Sequence, residues 1–285
     1  MKRFIFSLLL FSSSFAIAQK DTMNASISEI VVSATRTATS SIRLASSFTL
    51  INSSDIESKQ KLSVIDLLRE VPGLSVTRSG GIGTMSNVFL RGANPYHTLV
   101  ILDGAVLNDP SSPSGAYDFS SLFADNIERI EIVRGPQSTL YGSDAIAGII
   151  NIFSRRPENG FNLRLNAETG SNSLYKGNLT ALGTIGKLAY SINFLKMKTD
   201  GISAASSRYG NSERDGFENN IFSSNLGYDI LPNLSASVIY RYTKSYADLD
   251  QNEKMGDDIN FKTDLEEHLV RGTLNYDMFQ GKWES

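Results

Sequence analysis

The stretch Ile127-Glu-Arg-Ile-Glu-Ile-Val-Arg-Gly-Pro-Gln-Ser-Thr-Leu-Tyr-Gly-Ser-Asp-Ala-Ile-Ala-Gly-Ile-Ile-Asn-Ile152 decides the fold. It opens as an alternating strand, with Ile130 and Ile132 apolar and Glu131 and Arg134 polar. It breaks at Gly135-Pro136, turns again through Gly142 and Gly148, and ends in a second apolar run.

Outward from that stretch, residues 48–157 read as a compact α+β domain. Phe48 to Ile51 is a short strand, and Asn52-Ser53-Ser54-Asp55 is helix-start chemistry. Ser63 and Asp66 have the spacing of a capping box. The helix this predicts, Val64 to Glu70, buries Ile65, Leu67 and Leu68 and must stop before Pro72. Strands follow at Leu74 to Thr77 and Val88 to Arg91, with a Gly-rich loop between them. Thr98 to Asp103 is apolar enough for a buried strand, and Asp103-Gly104 is a tight turn.

From Phe161 onward the texture changes. Phe161, Leu163 and Leu165 alternate with Asn162, Arg164 and Asn166, and Leu188, Tyr190, Ile192 and Phe194 alternate with Ala189, Ser191 and Asn193. Three further segments, around residues 222–230, 234–243 and 270–278, repeat this. One face keeps Arg and Asp mid-strand while the other carries no charge, the apolar-out, polar-in pattern of a transmembrane barrel. Tyr175, Tyr228, Tyr242 and Tyr276 suit an interfacial aromatic girdle. The links at 171–173, 186–187 and 231–233 are short, whereas 199–218 and 246–265 are long and polar, which predicts periplasmic turns and external loops. A soluble β-sandwich with one wet face is the competing reading. Six strands and the start of a seventh at Lys282-Trp283 are too few to close a plugged transporter barrel of about 22 strands. The expectation is therefore a fragment that does not insert stably alone.

Composition narrows the chemistry. Net charge is −3, so no broad nucleic-acid face is implied. With no cysteine and only His97 and His268, thiol and most imidazole chemistry is excluded. Gly80-Gly81-Ile82-Gly83 lacks the Lys-Ser/Thr of a phosphate loop, so no enzyme is expected. The N-terminus reads as a signal peptide, residues 1–18: Lys2-Arg3, an apolar run to Phe15, then Ala16-Ile17-Ala18. Residues 19–47 read as a mobile leader interrupted by the aliphatic island Glu29-Ile30-Val31-Val32-Ser33-Ala34-Thr35, suited to pairing with a partner's sheet edge or to serving as an ordinary edge strand.

Three motifs stand in order behind that island. They are Leu67-Leu-Arg-Glu-Val-Pro-Gly-Leu-Ser-Val76, then Phe89-Leu-Arg-Gly92 with Leu99-Val-Ile-Leu-Asp-Gly104, then Ile130-Glu-Ile-Val-Arg-Gly-Pro136 through Tyr141-Gly-Ser143 to Asn151. Together they resemble the plug domain of TonB-dependent outer-membrane receptors. The resemblance implies an α+β plug domain at 48–157, followed by the first strands of an antiparallel transmembrane β-barrel, incomplete, at 158–285. It makes residues 29–35 a TonB box and implies an active transporter in the cell outer membrane, in contact with its lipid, with TonB and a small-molecule nutrient as partners. Arg91, Arg134, Glu70 and Glu131 would pair within the plug or with the barrel wall.

Within that family the chain is most similar to the cobalamin (vitamin B12) receptors, on Gly80 to Gly83, Arg91 to Asn94, Tyr141 to Asp144 and Glu213 to Phe217. That resemblance puts Met85, Asn87, Asn94, Pro113 and Ser114 at substrate-touching positions, although their side chains mostly differ in type. It also implies Ca²⁺ in external loops, held by Glu213, Asp215 and Asp250 with Asp248, Asp257, Asp258 and Asp264 nearby. Ser203 stands where an Asp is expected and Leu249 where a Tyr is. A siderophore or other chelate receptor, a porin-like channel and a truncated product without transport are the alternatives.

Overall fold

The computed structural model describes residues 31–32, 39–40, 47–109, 114–211, 213–250 and 261–277. The signal-peptide residues and the strand expected at Lys282-Trp283 lie outside the described residues. The first described elements are two short strands, β1 (Val31–Val32) and β2 (Thr39–Ser40), paired antiparallel.

The α+β domain begins with β3 (Ser47–Ile51) and α1 (Ser53–Lys59). Asn52 starts α1 through a reciprocal capping box: its side chain accepts from the Asp55 amide at 2.9 Å, and the Asp55 carboxylate accepts from the Asn52 amide at 3.2 Å. The capping box expected at Ser63 does not form. The Ser63 hydroxyl donates to Asp66 at 2.5 Å instead, because Arg78 draws both side chains to its guanidinium at 3.3–3.4 Å. Helix α2 (Val64–Leu68) buries Val64, Ile65, Leu67 and Leu68 completely. It ends two residues before Glu70, because the Glu70 and Val71 amides bond three residues back and tighten the chain ahead of Pro72.

Strands β4 (Leu74–Arg78) and β5 (Ser86–Leu90) form a hairpin. Strands β6 (Thr98–Leu102), β7 (Ala105–Val106), β8 (Ile127–Arg134) and β9 (Gly148–Ser154) join β3 in a five-stranded sheet. Its order is β3-β8-β9-β6-β7, with only β6 and β9 parallel. Asp103 and Gly104 both take positive φ (50° and 82°) between β6 and β7, as a type I′ turn demands. Strand β8 departs from the alternating reading. Two of its polar residues are hidden with its isoleucines: Glu131 is fully buried and accepts from Arg129 at 2.9 Å, and Arg134 is buried with Thr49 Oγ1 at 2.8 Å. The sheet is covered here, so Glu131 and Arg134 take their partners from neighbouring side chains.

Six long strands form the second sheet, each paired antiparallel with the next in chain order: β10 (Phe161–Gly170), β11 (Leu174–Ile185), β12 (Leu188–Thr199), β13 (Phe217–Leu231), β14 (Leu234–Asp248) and β15 (Lys262–Tyr276). Phe161, Leu163, Leu165, Phe194, Val270 and Leu274 are exposed on one face. Asn178, Thr180, Ser191, Asn193, Asn219, Arg241 and Thr243 are buried on the other. Antiparallel alternation places the short 171–173 turn at the same end as the two long loops, not with the other short links as its length suggested.

The buried face holds the α+β domain. Lys176 on β11 bonds Asp125 at 3.0 Å and Glu168 at 2.6 Å, with its side chain 2% exposed. Asn219 on β13 donates to the Ser121 carbonyl at 3.1 Å, Asn126 donates to Ser223 at 3.3 Å, and Arg271 on β15 donates to the Asp103 carbonyl. Burial pushes the Asp125 carboxyl above its ordinary range, and Lys176 pulls it back. Lys176→Met should therefore destabilise the seated domain by about 3–5 kcal/mol, read from urea unfolding monitored by protease protection. Without Lys176, the raised Asp125 carboxyl costs least at low pH, so the defect should grow as pH rises. The double variant Lys176→Met/Asp125→Leu should recover most of the loss.

Candidate functional site

The end of the wall that carries the long loops meets the α+β domain through the loop between β4 and β5. Gly80 packs on Ala204, Gly81 lies below the Ile202 carbonyl, and Gly83 carries the Phe217 ring against its α-carbon. With φ at +89° and no room for a side chain, Gly83 must be glycine. Phe123, Leu195, Met197, Phe217, Ile221 and Ala247 form a buried apolar cluster there, with Ile82 and Leu249 packed against it.

Over this cluster sits an acidic site. Glu213, Asp215 and Asp250 each offer a carboxylate oxygen, all within 4.8 Å of one another. These are the three residues that the family resemblance implies, brought together from segments 35 residues apart by the β13–β14 pairing. Asp215 accepts from the Ala204 amide at 2.6 Å. Asp250 accepts from the Ala205 amide at 2.7 Å and from the Ser203 hydroxyl at 3.2 Å. Ser203 thus joins the site as a hydrogen-bond donor. Asp215 Oδ1 and Asp250 Oδ1 are buried without a hydrogen-bond partner. Burial first, then the neighbouring Asp250, pushes the Asp215 carboxyl up to about 6 despite the Ala204 amide. Three clustered carboxylates with no imidazole or thiol suit a hard divalent cation such as Ca²⁺. Asp248 faces Tyr246 and Lys262, and Asp264 lies exposed at the start of β15, so neither joins the three. Asp257 and Asp258 lie outside the described residues.

The five expected substrate positions divide. Met85, 56% exposed, and Asn87 stand at the end of β5 that meets the long loops. Asn94 follows the other end of β5 and donates to the Tyr96 hydroxyl at 2.9 Å. Ser114 is exposed on a separate loop, and Pro113 lies outside the described residues. Met85 and Asn87 are therefore the pair presented together toward the loops. Of the expected box, Val31 and Val32 are in strand β1, while Glu29, Ile30, Ser33, Ala34 and Thr35 lie outside the described residues.

The four charges singled out in sequence also divide. Glu70 pairs with Lys61 at 2.8 Å and Lys59 at 2.9 Å, which holds its carboxyl down at about 2. Arg134 bonds Ser47 and Thr49, and Glu131 bonds Arg129, all inside the domain. Arg91 is exposed at a positive φ of 51°, its amide bonded to the Gly73 carbonyl at 2.8 Å. Sequence reasoning did not single out Lys176 or Asp125. The signal was a lysine at an inward, period-2 position of β11, whose other inward residues, Asn178, Thr180, Leu182 and Thr184, are uncharged.

Residues 40–149 match the family model described as the TonB-dependent Receptor Plug Domain. The whole chain has the fold of a plug domain followed by antiparallel barrel strands. Solved structures with the same fold include the ferripyoverdine receptor of the outer membrane of Pseudomonas aeruginosa bound to ferripyoverdine, at 17% identity and TM-score 0.64, covering 76% of this chain and 28% of that one. The ferric yersiniabactin uptake receptor FyuA from Yersinia pestis matches at 22% and 0.56, covering 70% and 32%. The ferric enterobactin receptor PfeA from Pseudomonas aeruginosa, a mutant in complex with enterobactin, matches at 19% and 0.60, covering 80% and 38%. The chain spans about a third of the length of these structures.

Cation affinity at the acidic site should track Asp215. A carboxyl held near 6 must lose its proton before it can ligate. Terbium luminescence should report about ten-fold tighter binding at pH 7 than at pH 5. Asp250→Asn should abolish the signal at both.

Proposed function

We propose that the chain is the plug and first barrel strands of an outer-membrane, TonB-dependent receptor that imports a scarce, metal-bearing nutrient. The observation that carries this is the plug seated against the inner face of the wall through Lys176–Asp125, Asn219–Ser121 and Asn126–Ser223. A plug bonded across the lumen leaves no passive route, so passage requires the plug to move. Movement against several buried polar contacts needs energy, and the outer membrane holds neither ATP nor a sustained potential. A partner that adds a strand to the box at residues 29–35 can supply a pull from the inner membrane. That partner is TonB.

The substrate class favoured by the structural neighbours is a ferric siderophore, since those neighbours are named for ferripyoverdine, ferric yersiniabactin and ferric enterobactin. Cobalamin is the second reading. It is favoured by Glu213, Asp215 and Asp250, which stand at positions the cobalamin-receptor resemblance assigns to calcium and which lie within 4.8 Å of one another. Under either reading, Ca²⁺ at these carboxylates would pin loop 203–205 over the plug apex at Met85 and Asn87. The function is transport and binding, not catalysis.

Val31→Pro removes a backbone N–H from the box. Uptake should fall to background while substrate binding to the outer face stays unchanged. Equal loss of both, or uptake that survives removal of residues 28–36, would point to a passive channel and sink the proposal. Binding of ferric siderophores against cyanocobalamin, each with and without Ca²⁺, separates the two substrate readings.

A further inference from the structure

We propose that Asp118 is the positioning residue that couples the outward end of β5, at Met85 and Asn87, to the segment that seats the α+β domain on the wall. The inference rests on the receptor reading above and deepens it, by assigning how occupancy beside the long loops reaches the seat.

The bonds that seat the domain on β11 and β13 leave one short segment. Ser121 accepts from Asn219 at 3.1 Å, Asp125 bonds Lys176 at 3.0 Å, and Asn126 donates to Ser223 at 3.3 Å. Phe123 lies between them in the dry cluster, its ring centroid 6.2 Å from that of Phe217. Behind, the Val64 amide donates to the Leu122 carbonyl at 3.0 Å and the Ala124 amide to the Leu62 carbonyl at 3.2 Å. Residues 121–126 are therefore clamped between the start of α2 and the wall. On their N-terminal side stands a single 3-10 turn, Phe119–Ser121, capped by Asp118.

One oxygen of Asp118 holds both that turn and β5. Its Oδ1 accepts from the Ser120 amide at 2.9 Å and from the Ser86 amide, 32 residues away, at 2.8 Å. Ser86 is completely buried, so its amide needs an acceptor, and Asp118 supplies it. Met85 and Asn87 are the chain neighbours of Ser86. A load that shifts either of them moves the Ser86 amide. The carboxylate must then follow or give up one of two charge-assisted bonds, which are stronger than neutral ones. If it follows, it tilts the turn that presents the Ser121 carbonyl to Asn219. If it lets go of Ser120, the turn loses its cap. Either way a load at β5 reaches the contact with the wall.

Hydrogen exchange read by mass spectrometry tests this on the full receptor, with cyanocobalamin and a panel of ferric siderophores as cargo. In wild type, bound cargo should change amide exchange about five-fold at residues 85–87 and again at 119–126. In Asp118→Ala the change at 85–87 should remain and that at 119–126 should vanish. Asp118→Asn keeps the accepting oxygen and should respond as wild type does. Coupling is reciprocal, so Asn219→Ala, on the wall, should weaken cargo binding about five-fold in the wild-type background and not at all in Asp118→Ala. A retained response at 119–126 in Asp118→Ala, an Asp118→Asn variant as unresponsive as Asp118→Ala, or losses from Asn219→Ala and Asp118→Ala that multiply would overturn the assignment and leave the receptor reading standing. A wild type that binds none of the cargoes and is absent from the outer-membrane fraction would overturn the receptor reading itself.

Discussion

Each barrel strand must satisfy two surroundings at once, and the period-2 geometry of β structure is what lets it do so. Backbone amides and carbonyls shielded from water need partners, so every strand needs its neighbour in full register. The six strands pair continuously, with one irregularity between Asp229 and Leu231. Given that ladder, alternate side chains have no choice of face. Leu163 and Leu165 go outward and Asn178, Thr180 and Asn193 go inward. The inward polar groups then need partners. They find them in each other, as Asn193 does in Thr180 at 2.8 Å, and in the plug.

Strands β13, β14 and β15, of 15 residues each, are longer than a barrel's apolar band requires. Fifteen residues span about 50 Å, roughly twice the apolar band of a barrel. Near the long-loop end the pattern inverts: Lys196, Lys198 and Lys244 face outward while Leu195, Met197, Phe217 and Ile221 are buried inside. There the outside is exposed and the inside is the apex of the α+β domain, so charge and apolar surface exchange sides. This inversion builds the dry cluster over which the acidic residues sit.

The plug is held by contacts of mixed kind. Its own core, with Val64, Ile65, Leu67, Leu68, Ile130 and Ile132 completely buried, is an ordinary hydrophobic one. Its contact with the wall combines polar pairs with the packing of Leu269 and Ile239 on its core. Polar pairs across an interface can be exchanged for water during movement at modest net cost, whereas an apolar seam would have to expose its area to water. Lys176 and Asp125 are the exception, because both are buried too deeply to separate cheaply. A plug with a rigid interior and a largely wettable outer surface can move as a unit.

The sequence alone determined whatever depends on local chemistry and period. The Pro72-Gly73 stop, the Asp103-Gly104 turn, the buried run of β6 and the wall's alternation each follow from steric limits or side-chain spacing that act within a few residues. Even the acidic three, Glu213, Asp215 and Asp250, were legible, though through resemblance rather than pattern. Tertiary structure decided where one element meets another. Ser63 lost its cap to Arg78, fifteen residues away, and the polar side chains of β8 were buried because a second layer covers them. The 171–173 turn took the loop end because strand direction overrides turn length. Lys176 acquired Asp125 only when the plug entered the wall. Such outcomes depend on which distant groups compete for the same hydrogen bond or the same dry volume, and no local period encodes that.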